Sequence, residues 1–161
     1  MANLAALLIF SSLLGVAFAV TKPISFNIIG RVYCDNCRAG FETRAADYIE
    51  GAKVRLQCRH FANDSIAHTT DGVTDATGTY SLQMEDDHQE EICEVVLVNS
   101  PMADCSEVVK CRDRAIVVLT RDNGVNSKVR YANALGYFKD EPLPVCGQIL
   151  REYDLADDQS N

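Results

Sequence analysis

Seven cysteines constrain the fold of this chain more than any other feature of its sequence. All of them follow an uncharged amino-terminal segment, MANLAALLIFSSLLGVAFA (1–19), which ends in the small-residue pattern Ala17-Phe18-Ala19. This pattern is typical of a secretory signal peptide and predicts cleavage between Ala19 and Val20. An exported chain meets an oxidising compartment, so the cysteines predict a disulfide framework with one thiol left over. They are Cys34, Cys37, Cys58, Cys93, Cys105, Cys111 and Cys146.

A membrane anchor is the alternative interpretation of residues 1–19. The segment is interrupted by Ser11-Ser12 and is marginal for crossing roughly 30 Å of hydrocarbon, so we expect cleavage and no membrane attachment after it. The mature chain, residues 20–161, is then one domain with an acidic tail over about residues 151–161. The net charge of -8 predicts repulsion from nucleic acid and anionic membranes, and it favours basic or neutral partners.

Apolar and polar residues alternate along much of the chain, which indicates half-buried β-strands. In AKVRLQCRH (52–60), for example, Val54, Leu56 and Cys58 share one face and the charged residues occupy the other. Several short strands separated by turns favour a single antiparallel β-sandwich or barrel. The expected strands are 26–33, 52–60 and 79–84, and two continuously apolar runs, 93–100 and 114–120, predict well-buried strands.

Two segments carry more specific local predictions. Asp122-Asn123-Gly124 separates AIVVLT (115–120) from VNSKVRY (125–131), and a turn of this composition predicts a β-hairpin between them. The segment AGFETRAADYIEG (39–51) has helical spacing of apolar residues and a glycine stop. A long loop with one helical turn fits that segment equally well.

Cys34 and Cys37 lie three residues apart at the end of the first expected strand, and a zinc site is one interpretation of such a pair. Structural zinc needs a second pair of closely spaced ligands, which this chain does not offer. His60, His68 and His88 fall on a charged strand and in polar loops, where we expect solvated surface histidines. The sequence therefore predicts no bound metal or cofactor.

A redox pair and a structural pair are the other interpretations of these two cysteines. A redox pair sits at a helix start in a βαβ unit, and here no βαβ pattern follows, while Asp35 disfavours a thiolate. In an extended strand, residues i and i+3 are roughly 10 Å apart, beyond the ~7 Å Cα separation that a disulfide allows. Each cysteine then bonds to a distant partner, and the residues alone do not choose among the possible connectivities.

The stretch GRVYCDNCR (30–38) resembles the signature of the Ole e 1-like family of pollen proteins, which includes the olive-type allergens and tomato pollen relatives. Further segments resemble the family in the same order, so the resemblance covers nearly the whole mature chain, with chenopod and amaranth pollen members the most similar. These segments are GAKVRLQC (51–58), TDATGTYSL (74–82), DCSEV (104–108) and NALGYFKDEPLPVC (133–146).

The resemblance implies a set of disulfide bonds: Cys34 with Cys105, Cys37 with Cys146, and Cys58 with Cys93. Cys111 departs from the six-cysteine pattern and is the expected free thiol. It is either a buried thiol ahead of the strand at 114–120 or a competitor of Cys105. Glycosylation is predicted at Asn63 from this sequence's own sequon, Asn63-Asp64-Ser65.

The family fold implied is a seven-stranded, disulfide-stapled β-barrel or sandwich. GAKVRL followed by TDATGTYSL is also similar to a hairpin of transthyretin-like modules, in which Gly78 would supply a turn conformation that a side chain disfavours. The function implied is that of a secreted, non-enzymatic pollen glycoprotein of the apoplast or pollen wall. It would act by protein binding in pollen hydration, germination or tube growth, with a receptor kinase ectodomain as its partner. As an allergen, it would also be bound by IgE.

Two rival classes are an extracellular enzyme or enzyme inhibitor and a small-ligand carrier. The sequence lacks G-x-S-x-G, a phosphate-binding glycine loop and H-E-x-x-H, so no catalytic residue is predicted. A concave site with two carboxylates would indicate an enzyme, and an enclosed apolar cavity would indicate a carrier. The acidic run EDDHQEE (85–91) is expected to be a solvated loop rather than a calcium or basic-peptide site.

Overall fold

The computed structural model describes residues 24–153, so the predicted leader, its cleavage site and the end of the acidic tail lie outside the described residues. Within this range the chain forms ten strands and one helix. They are β1 (Ser25–Asp35), β2 (Asp47–Tyr48), β3 (Lys53–His60), β4 (Ile66–Val73), β5 (Thr79–Glu85), β6 (Glu91–Asn99), β7 (Glu107–Val108), β8 (Arg114–Val117), β9 (Val129–Tyr131), β10 (Leu135–Phe138) and α1 (Cys146–Glu152).

The first sheet is built around β1, which is paired on both sides along its length. Its first half lies between β5, antiparallel, and β9, parallel. Its second half lies between β2, antiparallel, and β10, parallel, and β7 extends the sheet beyond β10. A strand with apolar residues on both faces suits this central position. The parallel pairs differ from the all-antiparallel expectation, because the chain crosses over from the other sheet after β8, and β9 and β10 then both run parallel to β1.

The second sheet is antiparallel, in the order β4-β3-β6-β8. Its strands β3 and β6 are paired from Lys53↔Asn99 to His60↔Glu91. Along β3, the residues Val54, Leu56 and Cys58 are buried, as their spacing predicts. Their polar neighbours lie on the outer face, which makes this sheet one-sided.

The core lies between the two sheets and is formed by buried side chains from both. Tyr80 and Leu82 of β5 pack in the same cluster as Leu56 of β3 and Val95 of β6. The sheets do not close on each other, so the all-β prediction is confirmed in its sandwich form. Seven of the strands among residues 24–153 have four or more residues, in agreement with the seven strands that the resemblance implies.

Two glycines are required by close approaches to this core. A Cβ at Gly30, on β1, would overlap the buried hydroxyl of Tyr80. Gly78 has φ +69°, and a Cβ there would lie 2.8 Å from the Val32 carbonyl oxygen. The predicted role of Gly78 in the turn before β5 is therefore confirmed.

The predicted hairpin around Asp122-Asn123-Gly124 is wrong. β8 pairs with β6 in the second sheet, whereas β9 pairs with β1 in the first. The intervening segment thus carries the chain from one sheet to the other. The Arg130 side chain fixes this crossing, because its guanidinium donates to the Val118 carbonyl at 2.9 Å and also to the Ser127 carbonyl.

Helical structure is found at α1 rather than at residues 39–51, which form turns around the short strand β2. Cys146, the first residue of α1, and Ile149 pack with Cys37 in a small second cluster. In the part of the chain that the structure describes, this seven-residue helix is too short to span a membrane.

Candidate binding surface

The GRVYCDNCR motif forms a buried polar network where β1 ends; we call this part of the molecule the motif end. The Asp35 side chain is fully buried, and its carboxylate accepts hydrogen bonds from the backbone N–H groups of Cys37 at 3.1 Å and Gly40 at 2.7 Å. Asn36 donates from Nδ2 to Asp47 at 2.6 Å. These residue types satisfy one another inside the fold, which indicates a structural role for the motif.

Three disulfide bonds join cysteines of the described residues, in the pairs that the resemblance implies. The two cysteines of the motif diverge, since Cys34 reaches the segment before β7 and Cys37 reaches α1. They therefore neither share a ligand nor bond to each other. The bonds are Cys34–Cys105, with a Cα–Cα distance of 6.0 Å, Cys37–Cys146, with 5.2 Å, and Cys58–Cys93, with 4.0 Å.

Cys111 lies exposed in the turn before β8 and is free of a disulfide. Its backbone N–H donates to the Asp113 carboxylate at 3.1 Å. The interpretation of Cys111 as a buried thiol is therefore wrong, and Cys105 is bonded to Cys34. Cys111 has φ 74° and lies in a turn outside both sheets, so its side chain is exposed to solvent.

Asn63 lies in the exposed connection between β3 and β4. Its side-chain oxygen accepts a hydrogen bond from the Ser65 hydroxyl at 2.7 Å. The sequon is thus on the surface, in a turn that presents both its asparagine and its hydroxyl residue to solvent.

The three histidines lie together where β1 begins; we call this part the histidine end. The expectation of solvated histidines holds for His60 and His68, whose side chains are 49% and 53% exposed. It is wrong for His88, whose side chain is 3% exposed. Two acceptors lie beside the buried ring of His88: a Glu91 oxygen is 2.9 Å from Nδ1, and the Glu85 carbonyl oxygen is 2.8 Å from Nε2.

One surface hollow of about 350 Å³ is lined by several carboxylates. It is the place to look for the carboxylate pair that a glycoside hydrolase would need. It is lined by Asp104, Lys139, Asp140 and Glu141. Lys139 Nζ lies 2.5 Å from Asp104 Oδ2, and this hydrogen bond holds the pKa of Asp104 below its ordinary value. A general acid for glycoside hydrolysis requires a raised pKa, so the arrangement favours a surface ion pair over a catalytic pair.

Exposed apolar side chains gather on the outer side of β8; we call this surface the apolar face. Ile116 is 68% exposed and Tyr131 is 80% exposed. Two hollows, of about 330 and 230 Å³, share Ile116 and Val118, which makes the surface continuous. The apolar face comprises Phe61, Ile92, Ile116, Val118, Val125 and Tyr131.

The apolar face corrects the prediction that residues 114–120 are buried on both sides. Ala115 and Val117 point into the core, while Ile116 and Val118 point outward. β8 is also an edge strand of the second sheet. A continuous β-branched run gives no alternation that would reveal an exposed side, so sequence reasoning missed this surface.

The comparisons with known proteins agree with the geometry of the fold and of the motif end. The family model described as "Pollen protein Ole e 1 like" matches residues 24–154. The chain belongs to the Ole e 1-like pollen protein family. The resemblance inferred from GRVYCDNCR is thereby confirmed, together with the pollen and allergen character of the family.

Relatives in several plants share most of the chain. It is 58% identical to the pollen-specific protein C13 of Zea mays, over 81% of this chain and 77% of that protein. It is 49% identical to the pollen allergen Phl p 11 of Phleum pratense, over 84% and 96% of the two chains. For the pollen allergen Che a 1 of Chenopodium album the identity is 43%, over 93% and 90%. The expectation that chenopod members are the most similar is thereby corrected, since the proteins of Zea mays and Phleum pratense have the higher sequence identity to this chain.

A solved structure supports the fold. The crystal structure of the major plantain pollen allergen Pla l 1 superposes with a TM-score of 0.68 at 27% identity, covering 74% of this chain and 98% of that one. The sandwich described above is therefore the fold of a pollen allergen of the same type.

Proposed function

We propose that this chain is a secreted, non-enzymatic pollen glycoprotein that acts by binding another protein through the apolar face. The relatives are named as pollen-specific proteins and pollen allergens, and these names include no enzymatic activity. The proposed setting is the apoplast or pollen wall, and the proposed processes are pollen hydration, germination and tube growth.

The apolar face is the observation that carries this proposal. Exposed side chains such as Ile116 and Val118 cost free energy in water unless a partner covers them, and a contiguous apolar patch commonly marks an interaction site. β8 adds unpaired backbone groups at the sheet edge, so the surface suits an extended partner segment that adds a strand. The hollows beside it open to solvent, which favours contact with a protein over enclosure of a small ligand.

The proposed occupant is an extended loop of a receptor kinase ectodomain with a basic rim. The net charge of -8 favours a basic partner. Acidic side chains also flank the apolar face, since Asp87 and Glu90 lie in the loop before β6 and Asp122 follows β8. The apolar centre would then supply affinity, and the acidic rim would supply orientation.

Surface plasmon resonance with a panel of pollen receptor kinase ectodomains tests this proposal. The variant Ile116→Thr/Val118→Thr keeps the β-branched shape on an exposed face, so the fold is retained while the apolar area is lost. We expect it to weaken binding about tenfold or more. The matched control is Val108→Thr, an exposed valine on β7 away from the apolar face, which should bind like the wild type. Equal binding by all three proteins would overturn the proposed surface.

Secretion and glycosylation are tested on the full chain produced in plant cells. Mass spectrometry of the secreted protein is expected to find Val20 at the amino terminus. Endoglycosidase treatment is expected to remove one glycan, and Asn63→Gln should abolish that shift. An intact leader or an unchanged glycan mass in Asn63→Gln would contradict these assignments.

Allergenicity is proposed from the relatives, several of which are named as pollen allergens. Sera that recognise Phl p 11 or Che a 1 provide the probe for IgE binding. We expect recognition of the oxidised protein and a loss after reduction, because the surface that antibodies contact depends on a disulfide-stabilised fold.

A further inference from the structure

All three histidines of the chain lie against one carboxylate, that of Glu91. His60 Nδ1 lies 3.7 Å from Glu91 Oε1, and His68 Nε2 lies 3.9 Å from the same oxygen. His88 Nδ1 lies 2.9 Å from the other oxygen, Oε2. The four residues come from β3, β4, β6 and the loop before β6, so the fold assembles a cluster from distant parts of the sequence.

Strand register explains why these side chains share one face of the second sheet. His60 stands directly opposite Glu91 in the β3–β6 ladder, and Cys58 stands opposite Cys93 two residues away along the same strands. Cys58 is also opposite His68 in the β3–β4 ladder. Side chains two apart on a strand point to the same side, so His60, His68 and Glu91 continue the face of the disulfide. The Cys58–Cys93 bond holds the strands together next to the cluster.

His88 positions the carboxylate for the other two histidines. It is buried, it contacts Glu91 Oε2, and its second nitrogen lies 2.8 Å from the Glu85 carbonyl. The His68 and His88 rings also meet edge to face, with centroids 5.1 Å apart. Oε1 of Glu91 therefore remains directed at the imidazoles of His60 and His68, both of which reach solvent.

We propose that His60, His68 and Glu91 form a binding site for a divalent transition-metal ion of the Zn²⁺ type, with His88 as the residue that positions Glu91. Two ligands on one tetrahedral Zn²⁺, each at about 2.0–2.1 Å, lie about 3.3 Å apart. The separations of 3.7 and 3.9 Å are a few tenths larger, and the two imidazoles must also rotate toward each other to bring their nitrogens onto one ion, which their half-exposed positions allow. A buried partner that hydrogen-bonds a ligating carboxylate is the usual outer support of such sites.

The donor set selects the kind of metal. Two imidazoles and one carboxylate suit Zn²⁺, Cu²⁺ or Ni²⁺, whereas Ca²⁺ and Mg²⁺ prefer oxygen ligands throughout. The sulfur atoms of Cys58 and Cys93 also lie close to His88 and Glu91, but they are bonded to each other and offer no thiolate. The exposed acids Asp86, Asp87 and Glu90 raise the local concentration of cations without being needed as ligands.

Isothermal titration calorimetry with ZnCl₂ tests the site on the mature, oxidised protein. All proteins carry Cys111→Ser, because the exposed thiol of Cys111 is itself a ligand for zinc. We expect one Zn²⁺ per chain, with affinity reduced about tenfold or more in His60→Ala and in His68→Ala. The matched control is Asp87→Asn, which removes a neighbouring exposed carboxylate and should leave the affinity within about twofold.

A second measurement separates a built site from general attraction to an acidic loop. Co²⁺ bound to nitrogen ligands gives visible d–d absorption, and we expect this signal in the parent protein and its loss in both histidine variants. Excess Ca²⁺ should not displace the metal. Zinc affinity that is unchanged in His60→Ala and His68→Ala, or that falls equally in Asp87→Asn, would overturn the proposal. Both histidines are exposed, so their replacement leaves the fold intact for this comparison.

Discussion

The motif end and the histidine end of the sandwich are held together by different means. At the motif end, two disulfides join residues 71 and 109 positions apart, and buried polar groups such as Asp35 satisfy one another. At the histidine end, one disulfide joins Cys58 and Cys93, which are 35 positions apart and already opposite each other in a ladder. One end uses its polar residues to close the fold, and the other leaves histidines and apolar side chains accessible.

This difference separates the part of the sequence that builds the fold from the part that contacts the surroundings. Asp35 and Asn36 of the motif have their hydrogen-bonding groups used internally. The histidine cluster and most of the apolar face, by contrast, lie on the second sheet, whose antiparallel ladders set the backbone without needing these side chains. Binding is therefore expected on the second sheet, and loss of stability on changes at the motif end.

The largest expected effect comes from removing the long-range bridge of the motif end. Cys37→Ser/Cys146→Ser should lower the free energy of unfolding by about 4–5 kcal/mol, because opening so long a loop restores much entropy to the unfolded chain. Cys58→Ser/Cys93→Ser should cost about 1 kcal/mol less, because its loop is shorter. Urea unfolding at pH 7 measures both. Equal losses would show that the two ends do not differ in this way.

The next effect concerns Arg130, which holds the crossing between the sheets at the histidine end. Its guanidinium is almost fully buried, donates to the Val118 and Ser127 carbonyls, and lies over the Phe26 ring. Arg130→Met keeps the length of the side chain but leaves those carbonyls without a donor, and we expect a loss of about 2–3 kcal/mol.

Hydrogen exchange locates the damage caused by Arg130→Met. Amides between residues 118 and 129 should exchange faster, while those of the motif end should be unchanged. The exposed neighbour Lys128 supplies the control Lys128→Met, for which neither the stability nor the exchange should change. A uniform increase in exchange over the whole chain would contradict a local role for Arg130.

A smaller effect is expected between the two ends, where Gly30 of β1 meets the hydroxyl of Tyr80. Gly30→Ala forces a Cβ into that contact, and overpacking of this kind costs about 1–3 kcal/mol. Gly147→Ala is the matched control, because a Cβ at Gly147 meets nothing within 4 Å and alanine is the better helix former. The melting temperature should fall for Gly30→Ala and should stay level or rise for Gly147→Ala.

The sequence predicted the regular strands of this fold because apolar and polar residues alternate along a strand that is buried on one side only. Residues 52–60 and 79–84 form β3 and β5 nearly as expected, and Gly78 makes the turn ahead of β5. The same signal fails for residues 114–120, since an all-apolar run does not show which side meets solvent. The sequence pattern therefore did not predict which side of β8 is exposed.

Other features escaped prediction because they depend on contacts between distant residues. The turn at residues 122–124 resembles a hairpin turn, yet the buried contacts of Arg130 draw the following strand to the other sheet. α1 is held by the bond of Cys146 to Cys37 rather than by its own short helical pattern. His60 and His68 meet Glu91 only because the ladders of β3 place them there, and His88 reaches the same carboxylate from the loop before β6.

The smallest expected effect is a pH-dependent one at the rim of the motif end. Arg38 donates to both oxygens of Glu107, 69 residues away, at 2.6 and 3.1 Å. This hydrogen bond lowers the pKa of the Glu107 carboxyl from its ordinary 4.5. A carboxyl with a depressed pKa stabilises the folded state above the unfolded pKa, and this contribution disappears as the pH falls through the folded pKa.

Glu107→Gln should therefore melt slightly below the wild type at pH 6, and the difference should shrink as the pH falls through the depressed pKa of Glu107 and vanish below it, where the wild-type carboxyl is protonated too. Asp71→Asn is the comparison on the second sheet, because Arg55 lowers the pKa of Asp71 in the same way. That pair joins β3 and β4, which the ladder already aligns, so we expect a smaller effect than for Glu107. A larger effect for Asp71→Asn would mean that salt bridges stabilise the second sheet more than they stabilise the motif end.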